Sequence, residues 1–168
     1  MKKTVFILFI MCLSCQKDHL LFKYSGSATA EKNGISSEYR IRAEKAPSNP
    51  GKYYIGIDAY DDMGYLSEHL YFKNFDLKAT SHHLTGVENS PVDTSVITDY
   101  ATEIGGEILG STYRLIASYD NLLVIEKIHN NCISGTFQCA FEIESWGKPG
   151  DPDTVYFNKG IFDAKILK

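Results

Sequence analysis

The sequence predicts an all-β domain, an antiparallel β-sandwich or a barrel-like sheet, and three observations predict it. Apolar and polar residues alternate with period two in one stretch after another, the signature of half-buried strands. Short clusters of Gly, Pro, Asn and Asp separate those stretches at turn positions. The chain holds 11 Tyr and 9 Phe against a single Trp, a composition suited to pleated surfaces. Beyond the N-terminus, no stretch has the three-to-four spacing of a long amphipathic helix.

Taken in order, Ser25–Lys32 reads as the first strand and Asn33-Gly34 as a hairpin turn. Ser37–Glu44 follows, with Tyr39, Ile41 and Ala43 on one face and charged residues on the other. Pro47 and Pro50 place 47–51 in a loop, because neither can donate to a ladder. Tyr53–Tyr60 sets Tyr53, Ile55 and Ile57 against Tyr54 and Asp58, with Gly56 between. The turn Asp61-Asp62-Met63-Gly64 leads into Leu66–Phe75, and Leu77–Leu84 is a further strand or an extended connection. From Thr85 to Gly110 the periodicity is weak, which predicts a long excursion with a hairpin around Val96–Tyr100. Tyr113–Ser118 and Leu122–His129 flank a turn at Tyr119-Asp120-Asn121. Cys132–Glu144 alternates most clearly, with Ile133, Phe137, Cys139, Phe141 and Ile143 sharing a face. After the breaker-rich 146–152, Val155 and Phe157 share one parity and Phe162, Ala164 and Ile166 the other. That switch predicts a β-bulge at Asn158-Lys159-Gly160, with Gly160 expected to supply the unusual dihedrals.

The 168 residues begin with Lys2-Lys3, an apolar run Val5–Leu13, and Ser14-Cys15. A charged start, a short apolar core and a small residue at a cleavage point make a secretory signal. The run is too short to span a bilayer, which takes about 20 residues. Ending on Ser-Cys, the segment resembles a bacterial lipoprotein signal, in which the cysteine sulfur is acylated and the chain is cut before it. The resemblance implies a signal peptide over 1–14, a lipidated Cys15 with a tether over 15–24, and a single β domain over 25–168. Leucine usually stands three residues before the modified cysteine; here that position is Cys12, with Leu13 following. An ordinary cleaved signal with an incidental cysteine is the alternative. Gln16 is not the aspartate that retains lipoproteins at the inner membrane, so the expected location is the outer membrane. Either its periplasmic face or the cell surface fits.

The C-terminal third carries a second resemblance. Ile133-Ser134-Gly135-Thr136-Phe137, followed by a valine-containing strand that ends in Gly160-Ile161-Phe162-Asp163, resembles uncharacterised β-rich lipoproteins common in Bacteroidetes. That family has no assigned activity, so the likeness implies compartment and fold alone.

Losing residues 1–14 would take the balance from 17 basic and 21 acidic residues to 15 and 21. Acidic balance with scattered lysines argues against nucleic acid and against a basic membrane-binding patch. A domain of this length needs no disulfide or metal staple. Cys132 and Cys139, seven positions apart on one strand, stand about 23 Å apart in extended chain, beyond the roughly 7 Å reach of a bridge. Both are expected as free thiols, with Cys139 a small buried residue between Phe137 and Phe141.

No G-x-S-x-G elbow, Walker loop or H-E-x-x-H is present, and no cofactor is expected. Asp58, Asp61, Asp62 and Glu68 raise a calcium site but lack its loop spacing, and Asp-Asp is ordinary turn chemistry. His82-His83 would point to opposite faces of a strand, and with His69 they are expected as exposed residues, not zinc ligands. His129 and Cys132 form the one local nucleophile–base pair, which would make the chain a hydrolase. The aromatic surplus points instead to binding. Tyr54, Tyr60, Tyr65, Tyr71, Tyr100 and Trp146 are the rings expected to be partly exposed, where they would stack on a glycan or meet a protein partner. The leading expectation is a lipid-anchored binding module, and the alternative is a calycin-like barrel around a small apolar ligand.

Overall fold

The computed structural model describes residues 23–47, 49–86 and 95–168. The signal segment, Cys15 and the tether through residue 22 lie outside the described residues. The rest is all β, as expected. Ten strands are present among the described residues: β1 (Gly26–Lys32), β2 (Ile35–Lys45), β3 (Tyr53–Tyr60), β4 (Leu66–Phe75), β5 (Thr80–Thr85), β6 (Val96–Ile104), β7 (Ile108–Leu115), β8 (Leu122–His129), β9 (Cys132–Ser145) and β10 (Thr154–Leu167).

Their pairings close into a barrel. The ring runs β1–β2–β3–β4–β6–β7–β9–β10 and back to β1. One seam is shared along its length. The later half of β6 and the later half of β9 are joined through β7, by Tyr100↔Tyr113 on one side and Leu115↔Phe141 on the other. The early halves are joined instead through the β5–β8 pair, with Leu84↔Val96 in parallel and Ile128↔Ile133 antiparallel. At one end of the barrel lie the 46–52 and 76–79 connections, the Asn130-Asn131 turn and the last residues of β10. The N-terminal chain emerges there too, since Ser25 N donates to Ile41 O and Lys165 N to Ser25 O. At the opposite end lie the 33–34, 61–65 and 105–107 turns and the 146–153 loop.

Aromatic rings fill the interior. Tyr100 is the centre of the packing, with centroids 4.9 Å from Tyr113, 5.3 Å from Phe157 and 5.5 Å from Phe141. Phe72 meets Phe137 at 5.5 Å, and Ile41, Ile55, Leu70 and Val155 complete the core. Large rings at these separations gain area burial plus edge-to-face or offset attraction. Cys139 is fully buried among them, and both cysteines are free thiols; burial pushes the Cys139 thiol well up.

Turn chemistry accounts for the hairpins. Asn33 and Gly34 have φ of 49° and 82°, and Asn130 and Asn131 have 50° and 62°, the positive pairs that match the twist of flanking strands. The expected excursion over 85–110 contains more order than its periodicity suggested. Beyond the undescribed residues 87–94, β6 and β7 form a hairpin around Gly105 and Gly106, both at positive φ. The bulge in β10 falls where expected, between Phe157 and Gly160, but its mechanism differs. Lys159 takes the positive φ, 49°, and Gly160 does not. Gly160 is there for space: a Cβ on it would stand 2.6 Å from the Phe137 ring.

Candidate functional site

The outer face of β2, β3 and β4 departs from the solvated surface that alternation implies. Arg42, Gly56 and Tyr71 are direct cross-strand neighbours. Because Gly56 has no side chain, its neighbours meet over it: Arg42 Nη2 donates to the Tyr71 hydroxyl at 2.7 Å. The guanidinium also lies over the Tyr71 ring, 5.4 Å from its centroid. A Cβ on Gly56 would come within 2.8 Å of Arg42 Nε and 2.9 Å of the ring. His69 stacks on the other side of Tyr71 at 4.7 Å, and Lys73 sits 5.3 Å from the same ring while pairing with Asp99.

Beneath this layer lies a fully buried carboxylate. Asp58 is on the outer face of β3, yet it is covered by Tyr24, whose hydroxyl donates to Oδ2 at 3.0 Å. Arg42 Nη2 stands 3.9 Å from the same oxygen, and Oδ1 meets no donor among the described residues. Burial pushes the Asp58 carboxyl above its usual range, against the opposing pull of Arg42 and Tyr24. Tyr24 in turn bonds Tyr60, and Arg40 covers both rings at 5.6 and 4.7 Å. Tyr24 falls in the stretch expected as free tether; its side chain is instead docked on the barrel wall.

Next to the Arg42–Gly56–Tyr71 row, Ala46, Pro47, Asn49, Tyr54 and Lys73 line an open cavity of about 460 Å³. Burial raises the hydroxyls of Tyr54 and Tyr71 to about 12 each, so both stay protonated donors across the physiological range. The groove therefore offers the Tyr54 ring, phenol donors and the Lys73 ammonium shared with Asp99, while Arg42, 4% exposed, and His69 cover the Tyr71 ring.

Of the six rings singled out by sequence, Tyr54 and Tyr71 come together here and Tyr60 belongs to the adjoining Tyr24–Arg40 stack. Tyr65 sits half-buried beside Gly106. Trp146 is exposed at the far end of the barrel, where Gly147 packs on Gly110. Tyr100 is a correction. It is only 2% exposed, because its parity on β6 aims it into the core, and its hydroxyl is taken by Glu68, which also pairs with Lys32. Glu68 is thereby committed to the barrel interior. Arg42, Lys73 and Gly56 were not found by sequence reasoning; the signal available was a glycine inside a strand, which often marks close approach of a neighbour.

The other candidates have structural employment. Asp61 Oδ1 accepts from the amides of Met63 and Tyr65, closing its turn, and no group of metal-ligating side chains exists among the described residues. His69 corrects the expectation of exposure. It is largely enclosed by Tyr71 and stands 3.2 Å from Glu103, and burial holds its imidazole below the ordinary value. His83 is exposed and His82 half-buried near Phe75. His129 and Cys132 do face each other across the β8–β9 hairpin. The His129 ring, however, is exposed and its Nε2 is bonded to Asn130 at 2.8 Å.

Comparison with family models, curated proteins and solved structures returned no match.

Proposed function

We propose that this chain is a lipid-anchored lipoprotein of the outer membrane that serves as a binding module, and that the Arg42–Tyr54–Tyr71–Lys73 groove takes an acidic saccharide. The observation that carries the ligand reading is the open groove beside Gly56, where cations and aromatic faces converge in one place. Its size falls in the usual range of small-molecule sites, about 300–1,000 Å³. Sugar C–H faces stack on tyrosine rings, while a carboxylate or sulfate on the sugar is bound by guanidinium and ammonium groups. Cross-strand packing over a glycine explains the Arg42–Tyr71 contact on its own. It does not require Ala46, Pro47, Asn49, Tyr54 and Lys73 to line an open cavity as well.

Titration with an oligogalacturonate and with a neutral dextran fragment tests the ligand. Preferential binding of the acidic sugar, weakened about two- to tenfold by Tyr54→Ala in line with the ~0.5–1.5 kcal/mol expected of one aromatic contact, is the expected result. Equal binding of both sugars, or indifference to Tyr54→Ala, overturns it. The anchor rests on Lys2–Cys15 and is tested by metabolic labelling with a radioactive fatty acid. Label should enter the native chain and be lost in Cys15→Ala.

A further inference from the structure

The acidic composition argues against a basic membrane patch, yet the fold sorts the charges. Lys23, Lys165 and Lys168 are all exposed and converge around a cavity of about 540 Å³ at the barrel end where the N-terminal chain emerges. Ile166 and Leu167, both partly exposed, line the same cavity, and Glu44 is its one acidic side chain. None of the three lysines makes an ion pair with another described residue. Lys45, Lys78 and Lys127 are exposed around the same end, together with Glu126 and Asp163, while Asp76 there is paired with Lys52. The opposite end exposes Asp61, Asp62, Glu107 and Asp153.

We infer that the Lys23–Lys165–Lys168 end is a docking surface for the anionic headgroups of the bilayer that holds the anchor. The inference rests on lipidation at Cys15. From Cys15 to Lys23 the chain reaches at most about 29 Å, so the lysine end is the part of the barrel that the tether brings to the lipid. Charge complementarity then favours this end facing the surface, since basic residues are drawn to an anionic membrane and the attraction is lost beyond a Debye length. The acidic end is turned away by the same field. Ile166 and Leu167 give the contact an apolar component between the lysines.

The test uses the lipidated chain in vesicles of phosphatidylcholine alone and of phosphatidylcholine with phosphatidylglycerol. Lysine acylation is followed residue by residue by mass spectrometry. On the anionic vesicles Lys23, Lys165 and Lys168 should react about three- to tenfold more slowly than on the neutral ones, with the protection erased by about 0.5 M salt. Lys148 and Lys159, towards the other end, should react alike on both. Equal rates for the three lysines on the two vesicles overturn the inference, as does protection that survives in the Lys23→Glu/Lys165→Glu/Lys168→Glu variant at Lys45 and Lys127. Flotation with neutral vesicles separates the two claims. A chain that fails to float overturns the anchor and the orientation together, whereas a chain that floats with equal labelling overturns the orientation alone.

Discussion

Two glycines, one in each wall of the barrel, sit beneath an aromatic ring from the next strand, and they do opposite things. Gly160 on β10 faces inward and gives its space to Phe137, which is 3% exposed and part of the core. Gly56 on β3 faces outward and gives its space to Arg42 and Tyr71, which roof a buried carboxylate and wall an open groove. In the β9–β10 wall, polarity and burial largely agree: the inward face is apolar and the outward face mostly polar, with Tyr156 and Ile161 as exposed exceptions. In the β2–β3–β4 wall they part company, because Arg42 and Asp58 are buried on the face that alternation assigns to water. A second, polar layer covers the outside of the barrel there.

The largest effect that would expose this difference comes from Arg42→Met. Removing one partner of a buried pair leaves Asp58 uncompensated, and about 3–5 kcal/mol of stability should be lost. Adding Asp58→Asn should return more than half of it, as read by urea unfolding. If the double variant is as unstable as the single one, Arg42 stabilises by packing and not by its charge.

Gly160→Ala comes next. The new methyl meets a buried ring with nowhere to move, and overpacking of that sort costs about 1–3 kcal/mol. Gly56→Ala should cost less than Gly160→Ala, because Tyr71 is half-exposed and can swing outward, and because alanine recovers about 0.5–1 kcal/mol of backbone entropy within a strand. Its effect belongs to the groove: acidic-sugar binding should fall while the thermal midpoint stays close to that of the native chain. Equal destabilisation by the two substitutions would mean that the outer layer is packed as tightly as the core.

The smallest effect is in pH dependence. His69 lies against Tyr71 and Glu103, within the field of Asp99, Lys73, Arg42 and Glu68, and burial outweighs the acidic neighbours, so its folded value lies below the unfolded one. The unfolded chain then binds the extra proton, and stability present above about pH 6.5 is lost as the pH falls below it. Asp58 has the opposite sign. Its raised value makes the folded state the better proton binder, so stability declines as pH rises through the folded value. Between about pH 8 and pH 5, His69→Gln should shallow the fall in urea midpoint, and an unchanged slope would place the titration elsewhere.

The inner layer was legible in the sequence because period-two alternation needs only one face to be dry. Tyr53–Tyr60, Leu66–Phe75 and Leu122–His129 have the expected bounds, and the Asn33-Gly34 turn and β10 bulge stand where their residues put them. Closure into a barrel was not legible, since it depends on β7 and the β5–β8 pair dividing one seam, and no local pattern encodes a non-local partner. The groove was half legible. Tyr54 and Tyr71 were picked out as aromatic, but nothing local says that Arg42 will fold over Gly56 or that Tyr24 will dock on Asp58. Tyr100 was misjudged for a related reason: its neighbours Thr98 and Thr102 are polar yet buried, which hid the inward parity of β6.

The shared seam has a consequence for how copies of the chain meet one another. Each of the ten strands among the described residues has at least two partners. A strand with a free side is a template for pairing with a neighbouring copy, and closure removes such templates. Copies of this barrel meet with most of the wall already paired; among the described residues, Thr80–His83 of β5 and Lys127–His129 of β8 are the stretches paired on one side in this seam. Cutting the seam, for instance by a proline in β7 at Thr112, should turn a dispersed protein into one that accumulates as intermolecular sheet.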